Sequence, residues 1–164
     1  MRSLLFCLLF IVTAGCEPEA EPAPAPPPSP QRLKVMAPAP MAVAPGESAT
    51  IAVPIEIGEA FHVQANQVPF DYLIPTVLTL NSTELFEVGA PEYPSGKPYT
   101  LEGSTDTLMV YGGMFDIEVP VAVNASAEAG VQTLEGTLRY QACDDRMCFA
   151  PKTIPVEVAV EVTQ

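Results

Sequence analysis

From Ile51 to Ile57 the chain reads IAVPIEI, with Ile51, Val53, Ile55 and Ile57 set against Ala52, Pro54 and Glu56. Successive side chains of a strand leave the backbone on opposite sides, so this period of two means a β-strand with one buried face. The period returns in Ile117, Val119, Val121 and Val123, set against Asp116, Glu118, Pro120 and Ala122. It returns again in Leu134, Leu138 and Tyr140 against Glu135, Thr137 and Arg139, and in Val156, Val158, Val160 and Val162 against Glu157 and Glu161. Turn-forming runs separate these stretches: PGES at 45–48, YPSGKP at 93–98, GG at 112–113 and ASAEAG at 125–130. No stretch shows a helical period.

Short strands with regular breaks predict an all-β fold, a two-sheet sandwich of immunoglobulin-like type. The chain has no Trp and no widely spaced cysteine pair, so it lacks the core signature of antibody domains. Pro54 and Pro120 fall inside strand patterns and predict edge strands or bulges, because proline has no N–H to give a ladder.

The pattern does not begin at the first residue. Met1 and Arg2 precede LLFCLLFIVTAGC, a positive start followed by an apolar run and small residues. This is the form of a secretory signal over residues 1–15. The apolar run, Leu4 to Val12, is far short of the roughly 20 residues of a membrane-spanning helix. VTAGC resembles the bacterial lipobox, which implies cleavage between Gly15 and Cys16 and a lipid on Cys16; ordinary signal cleavage near Ala14 is the alternative. Residues 17–31, EPEAEPAPAPPPSPQ, contain only Pro, Ala, Glu, Ser and Gln. They cannot bury a core, and an extended polyproline path of about 3.1 Å per residue makes them a spacer on the order of 45 Å. Residues 16–31 are thus expected to be a lipidated cysteine and a linker, and residues 32–164 one domain. The expected location is the cell envelope, anchored by lipid and facing the periplasm, with the outer membrane as carrier.

The formal net charge is −13. Such a surface excludes charge-driven binding of nucleic acid or anionic lipid.

Cys7 leaves with the signal and Cys16 is taken by lipid, so Cys143 and Cys148 remain as the free thiols of an exported chain. In an oxidising compartment such a pair is most simply a bridge. It lies in YQACDDRMCFAP, at 140–151, between two strand patterns. Facing Cα atoms of antiparallel strands lie about 4.5–5.5 Å apart, which a disulfide can span. Three readings follow: a hairpin staple in a non-enzymatic envelope interaction module, a working redox pair, or a soft metal clip. As a staple, a bridge closing so short a loop contributes roughly 2 kcal/mol. As a redox pair, it lacks the C-x-x-C spacing of fast oxidoreductases, and such a pair acts more as a partner's substrate than as a self-sufficient catalyst. Asp144 and Asp145 disfavour a thiolate while Arg146 favours one. As a clip, the thiolates with Met147 and either Met109 or Met114 would suit Cu(I), whereas zinc is disfavoured by a single His and no second cysteine pair.

The segment YQACDDRMCFAP, with the following KTIPVEVAV, resembles the end of the N-terminal periplasmic domain of the DsbD thiol:disulfide reductases. FHVQANQVPFDYLIPTVLTL at 61–80 and the stretch from YPSGKPYTLEG to LMVYGGMFDIEVPV are similar to other parts of that domain. The resemblance covers most of residues 47–162. It implies an immunoglobulin-like sandwich whose Cys143 and Cys148 shuttle between dithiol and disulfide, with Cys148 attacking and Cys143 resolving. It also implies Tyr140 as a neighbour of the pair, with Asp144, Arg146, Met147 and Phe149 around it. No cofactor and no metal is required. The implied partners are a membrane-embedded thiol reductant, and periplasmic thioredoxin-like or other disulfide-bearing proteins. Family members continue into a membrane domain and a thioredoxin-like domain, so both electron source and recipient are expected to be separate proteins here. The loop between the cysteines is one residue shorter than in the best-known members. Their aromatic cap over the pair corresponds here to GSTDTLMVY at 103–111, with no aromatic residue before Tyr111.

Other residues read as structural. His62, the one histidine, is expected to be a hydrogen-bonding core residue and Asn66 a turn former. The sequons at Asn81 and Asn124 are coincidental in a bacterial lipoprotein. No Ser/His/Asp set, phosphate loop or carboxylate pair points to a hydrolase.

Overall fold

A computed structural model describes residues 32–164; the expected signal, the lipidated Cys16 and the linker lie outside these residues. The four alternating stretches become the four long strands of an all-β domain. In chain order the strands are β1 (Leu33–Val35), β2 (Met41–Val43), β3 (Ser48–Ile57), β4 (His62–Gln64), β5 (Val77–Leu80) and β6 (Phe86–Val88). They continue with β7 (Lys97–Thr100), β8 (Thr107–Tyr111), β9 (Met114–Val123), β10 (Gly130–Tyr140), β11 (Ala142–Cys143) and β12 (Lys152–Val162).

Sheet A runs β1-β3-β9-β6 and sheet B runs β2-β12-β10-β5. Ile51, Val53 and Ile55 of β3 and Ile117, Val119 and Val121 of β9 share one buried cluster with Leu134 and Leu138 of β10 and Val156, Val158 and Val160 of β12. This is the expected immunoglobulin-like sandwich: two sheets bury their apolar faces on each other and leave the Glu and Thr faces wet. A buried side chain of this size is worth roughly 1.5–3 kcal/mol, so the sandwich does not depend on a small covalent staple.

The two prolines correct the sequence expectation. β3 and β9 are the central strands of sheet A, not edges, and Pro54 and Pro120 lie in register with Asp116 and Thr50. Each sits where the outer neighbour has just run out. The Pro54 carbonyl accepts from Met36 N, one residue past β1, and the Pro120 carbonyl accepts from Gly89 N, one residue past β6. A strand residue aims its N and C=O at the same neighbour, so each missing N–H points at the ladder's end.

A third sheet, C, runs β11-β4-β8-β7. Its inner face, Val63, Ala65 and Tyr111, joins the main core. On its outer face Leu108 and Val110 pack with Leu73 in a smaller cluster, against Val68, Phe70, Tyr99 and Leu101.

Candidate functional site at the Cys143–Cys148 disulfide

β10 and β12 pair along their whole length, from Gly130 with Val162 to Tyr140 with Lys152. At Gln141 the chain leaves sheet B, and Ala142 and Cys143 pair instead with Val63 and His62 of β4. The cysteine pair therefore sits on sheet C, not at the tip of a continuous β10–β12 hairpin. Gln141 holds the crossover: its Oε1 accepts from Ile74 N at 3.0 Å, and its Nε2 donates to Phe149 O at 3.2 Å. Its backbone carbonyl accepts from Gln64 N at 3.1 Å.

Cys143 and Cys148 are joined by a disulfide with a Cα–Cα separation of 3.9 Å, closer than facing strands usually stand. Cys143 is fully buried (0 % exposed), whereas Cys148 is half-buried. Between them Asp144 builds the turn, its Oδ1 accepting from Arg146 N at 2.9 Å and Met147 N at 2.8 Å. Those two N–H donors, Arg146 first, hold its carboxyl below the usual value. Asp144 is thus a turn-forming anion whose charge is already solvated by backbone. Arg146 and Met147 are exposed. Asp145 O accepts from Glu102 N at 3.0 Å, tying this turn to the β7–β8 connection.

The other expected neighbours divide. Phe149 packs edge-on against Phe61 at 6.1 Å, under the Arg32 guanidinium at 3.7 Å from its ring centre. Tyr140 ends β10 in the main core. Tyr111 does not cap the pair: it lies on the core side of β8, and its hydroxyl donates to Asn66 Oδ1 at 2.8 Å. Asn66 thereby fastens the bend it was expected to form. Met109 faces the main core with Tyr111, on the opposite side of sheet C from Cys143, so it cannot join the thiolates in a soft-metal set. Met114 stands at the start of β9, 70 % exposed.

Two residues of β4 were not legible as site residues. Register places Cys143 opposite His62, and Gln64 opposite Val110, on one face of sheet C. Gln64 is fully buried, and its Nε2 points at both sulfurs, 3.4 Å from Cys143 Sγ and 3.7 Å from Cys148 Sγ. The one available signal in the sequence was a polar Gln64 set between the apolar Val63 and Ala65. His62 was expected to hydrogen-bond, but its buried Nε2 has no partner and its ring lies 4.1 Å from that of Tyr99.

A groove of about 760 Å³ opens beside the pair, lined by His62, Lys97, Tyr99 and Val110 and edged by Asp144 and Asp145. Among the described residues, no three His, Cys, Asp or Glu converge as a metal site, and no helix is long and apolar enough to cross a membrane.

Burial holds His62 below its ordinary value of 6.5, with the Asp144 carboxylate opposing. The unfolded chain therefore binds this proton more readily than the folded one, and stability rises with pH. The contribution is complete above 6.5 and is lost as pH falls from there toward the folded value. The urea midpoint should drop between about pH 7.5 and about pH 5.5, and His62→Gln should flatten that drop. Equal slopes in the two proteins would contradict this.

The chain matches the family described as thiol:disulfide interchange protein DsbD, N-terminal, over residues 30–159. No curated protein matches it. Among solved structures it is similar to the N-terminal periplasmic domain of ScsB from Proteus mirabilis, with 9 % identity and a TM-score of 0.49 over 76 % of this chain and 43 % of that one. The chain thus spans less than half of that ScsB domain. It is also similar to the reduced Neisseria meningitidis DsbD N-terminal domain, with 17 % identity and a TM-score of 0.40 over 68 % of this chain and 77 % of that one. A type I cohesin from Pseudobacteroides cellulosolvens gives 11 % identity and a TM-score of 0.47 over 80 % and 92 %.

Proposed function

The chain belongs to the family of DsbD N-terminal domains, and from that premise we propose that it is a thiol–disulfide exchange module of the cell envelope. It relays electrons through Cys143 and Cys148, is anchored by lipid on Cys16, and is held off the membrane by residues 17–31. The observation that carries this reading is the asymmetry of the pair, with Cys143 fully buried and Cys148 only half-buried. A relay needs one sulfur that a partner can reach and one that only the first can reach.

The chemistry balances without a cofactor. In the reduced chain the Cys148 thiolate attacks one sulfur of a partner's disulfide. A Cys148–partner bond forms, the partner's S–S bond breaks, and the partner's second sulfur leaves as thiolate. The Cys143 thiolate then attacks Cys148 Sγ, restoring the Cys143–Cys148 bond and expelling the partner's first sulfur. The partner gains two electrons and two protons, and this chain gives up the same. A membrane-embedded dithiol protein recharges the pair by the reverse sequence, and thioredoxin-like or other disulfide-bearing envelope proteins are the recipients.

The test is the equilibrium reduction potential of Cys143–Cys148 against glutathione and thioredoxin-type buffers. The expected value lies in the oxidoreductase range, about −120 to −270 mV, with reversible exchange. A value well below about −300 mV, typical of structural disulfides, would make the bridge a staple.

A further inference from the structure

We propose that Gln64 is the positioning residue of the cysteine pair: its buried amide donates to whichever sulfur carries thiolate charge and thereby sets the reactivity of Cys148. The inference rests on the reading of Cys143 and Cys148 as an exchanging pair, and adds to it a residue that neither touches the partner nor changes its own bonds.

The backbone of Gln64 is held on both sides, its N donating to Gln141 O at 3.1 Å and its carbonyl accepting from Thr76 Oγ1 at 2.6 Å. The side chain therefore leaves a fixed point of β4, and its Nε2 reaches both sulfurs, at 3.4 Å and 3.7 Å. The other end of the amide, Oε1, is buried without a partner. In the oxidised chain this is a poor use of a buried polar group. A disulfide sulfur is a weak acceptor, a buried orphan carbonyl is costly, and an apolar side chain of the same length would fill the space at less cost.

Reduction reverses that balance. A thiolate is a charged acceptor, and an amide N–H aimed at it makes a hydrogen bond much stronger than one to neutral sulfur. When Cys148 is the attacking thiolate, Nε2 stands within reach of its charge. Once Cys148 is tied up in a mixed disulfide, the charge must develop on Cys143, and the same Nε2 stands at that sulfur too. No atom of Gln64 is transferred; it only lowers the cost of charge at each stage.

The test uses the full chain, chemically reduced, with the pH profile of Cys148 alkylation read by peptide mass. Gln64→Met keeps the length and removes the donor. Its alkylation midpoint should rise by about one pKa unit, and its rate near neutral pH should fall about tenfold. Gln64→Glu places a carboxylate beside the sulfurs and should raise the midpoint further. The melting temperature of oxidised Gln64→Met should equal or exceed that of the unaltered chain, because the orphan carbonyl is gone. A Gln64→Met midpoint unchanged from the parent would overturn the proposal. So would Met and Glu variants that share one midpoint and both melt lower, which is the behaviour of a packing residue. Because the profile is taken on chemically reduced protein, it stands apart from the reduction potential, whose failure would remove the relay without changing this result.

Discussion

Cys143→Ser is expected to accumulate a mixed disulfide with partner proteins through Cys148, whereas Cys148→Ser is expected to lose exchange altogether. The difference follows from access. Thiolate attack requires an approach in line with the bond being broken, and Cys143 is fully buried with Gln64 against its sulfur, while Cys148 is only half-buried. Without Cys143 the first step proceeds and the second cannot, so the adduct persists. Without Cys148 the first step has no accessible nucleophile, and exchange should fall to background. Both variants should stay folded, because closing so short a loop contributes only about 2 kcal/mol and the sandwich core lies elsewhere. Non-reducing electrophoresis of envelope extracts, with the adduct's masses identified, checks this. Capture by Cys148→Ser instead would exchange the two roles, and capture by neither would end the relay reading.

Gly136→Ala is expected to be the most damaging small substitution in the domain. Gly136 sits in β10, opposite Leu80 of β5 and Val156 of β12. A Cβ there would collide with the Thr79 carbonyl oxygen and lie 2.8 Å from Leu80 Cδ2 and 2.9 Å from Leu80 Cα. The Leu80 methyl could move; the backbone of β5 could not without leaving the ladder. The expected cost is about 3 kcal/mol, the upper end of overpacking, seen as a lower urea midpoint. The damage should also reach the surroundings of the Cys143–Cys148 disulfide, because Thr76, immediately before β5, holds the carbonyl of Gln64. Gly112→Ala is the matched control. Its Cβ would meet only the Phe61 carbonyl, at 4.0 Å, and the change should stay within about 1 kcal/mol. Equal losses at the two positions would show that the close approach of β5 does not limit stability.

Period-two alternation named β3, β9, β10 and β12 because each is 10 or 11 residues long, enough for the pattern to repeat. The turn at Gly46 and the one at Gly113 were legible too, and both glycines have positive φ, at 83° and 69°, where a side chain would strain the backbone. Strands β1, β2, β4 and β6 have three residues each, too few to show any period. β1, β2 and β6 exist because the long strands β3, β12 and β9 offer them a ladder edge, whereas β4 is held between the short strands β11 and β8. The prolines misled for a related reason: a lone Pro reports that one N–H has no acceptor, and only the lengths of the flanking strands reveal that β1 and β6 stop just short of that point.

By itself, the sequence determined the all-β class, the long strands and the bridging of Cys143 with Cys148. Each of these is local, written in the spacing of residues along a few turns or pleats. Only the tertiary structure decided which sulfur is buried, that the pair leaves sheet B at Gln141 to join sheet C, and that His62 and Gln64 share its face. Gln64 and Cys143 lie 79 positions apart in the chain. Their meeting depends on how β11 docks against β4, a pairing set by strand register and core packing that no short-range pattern encodes.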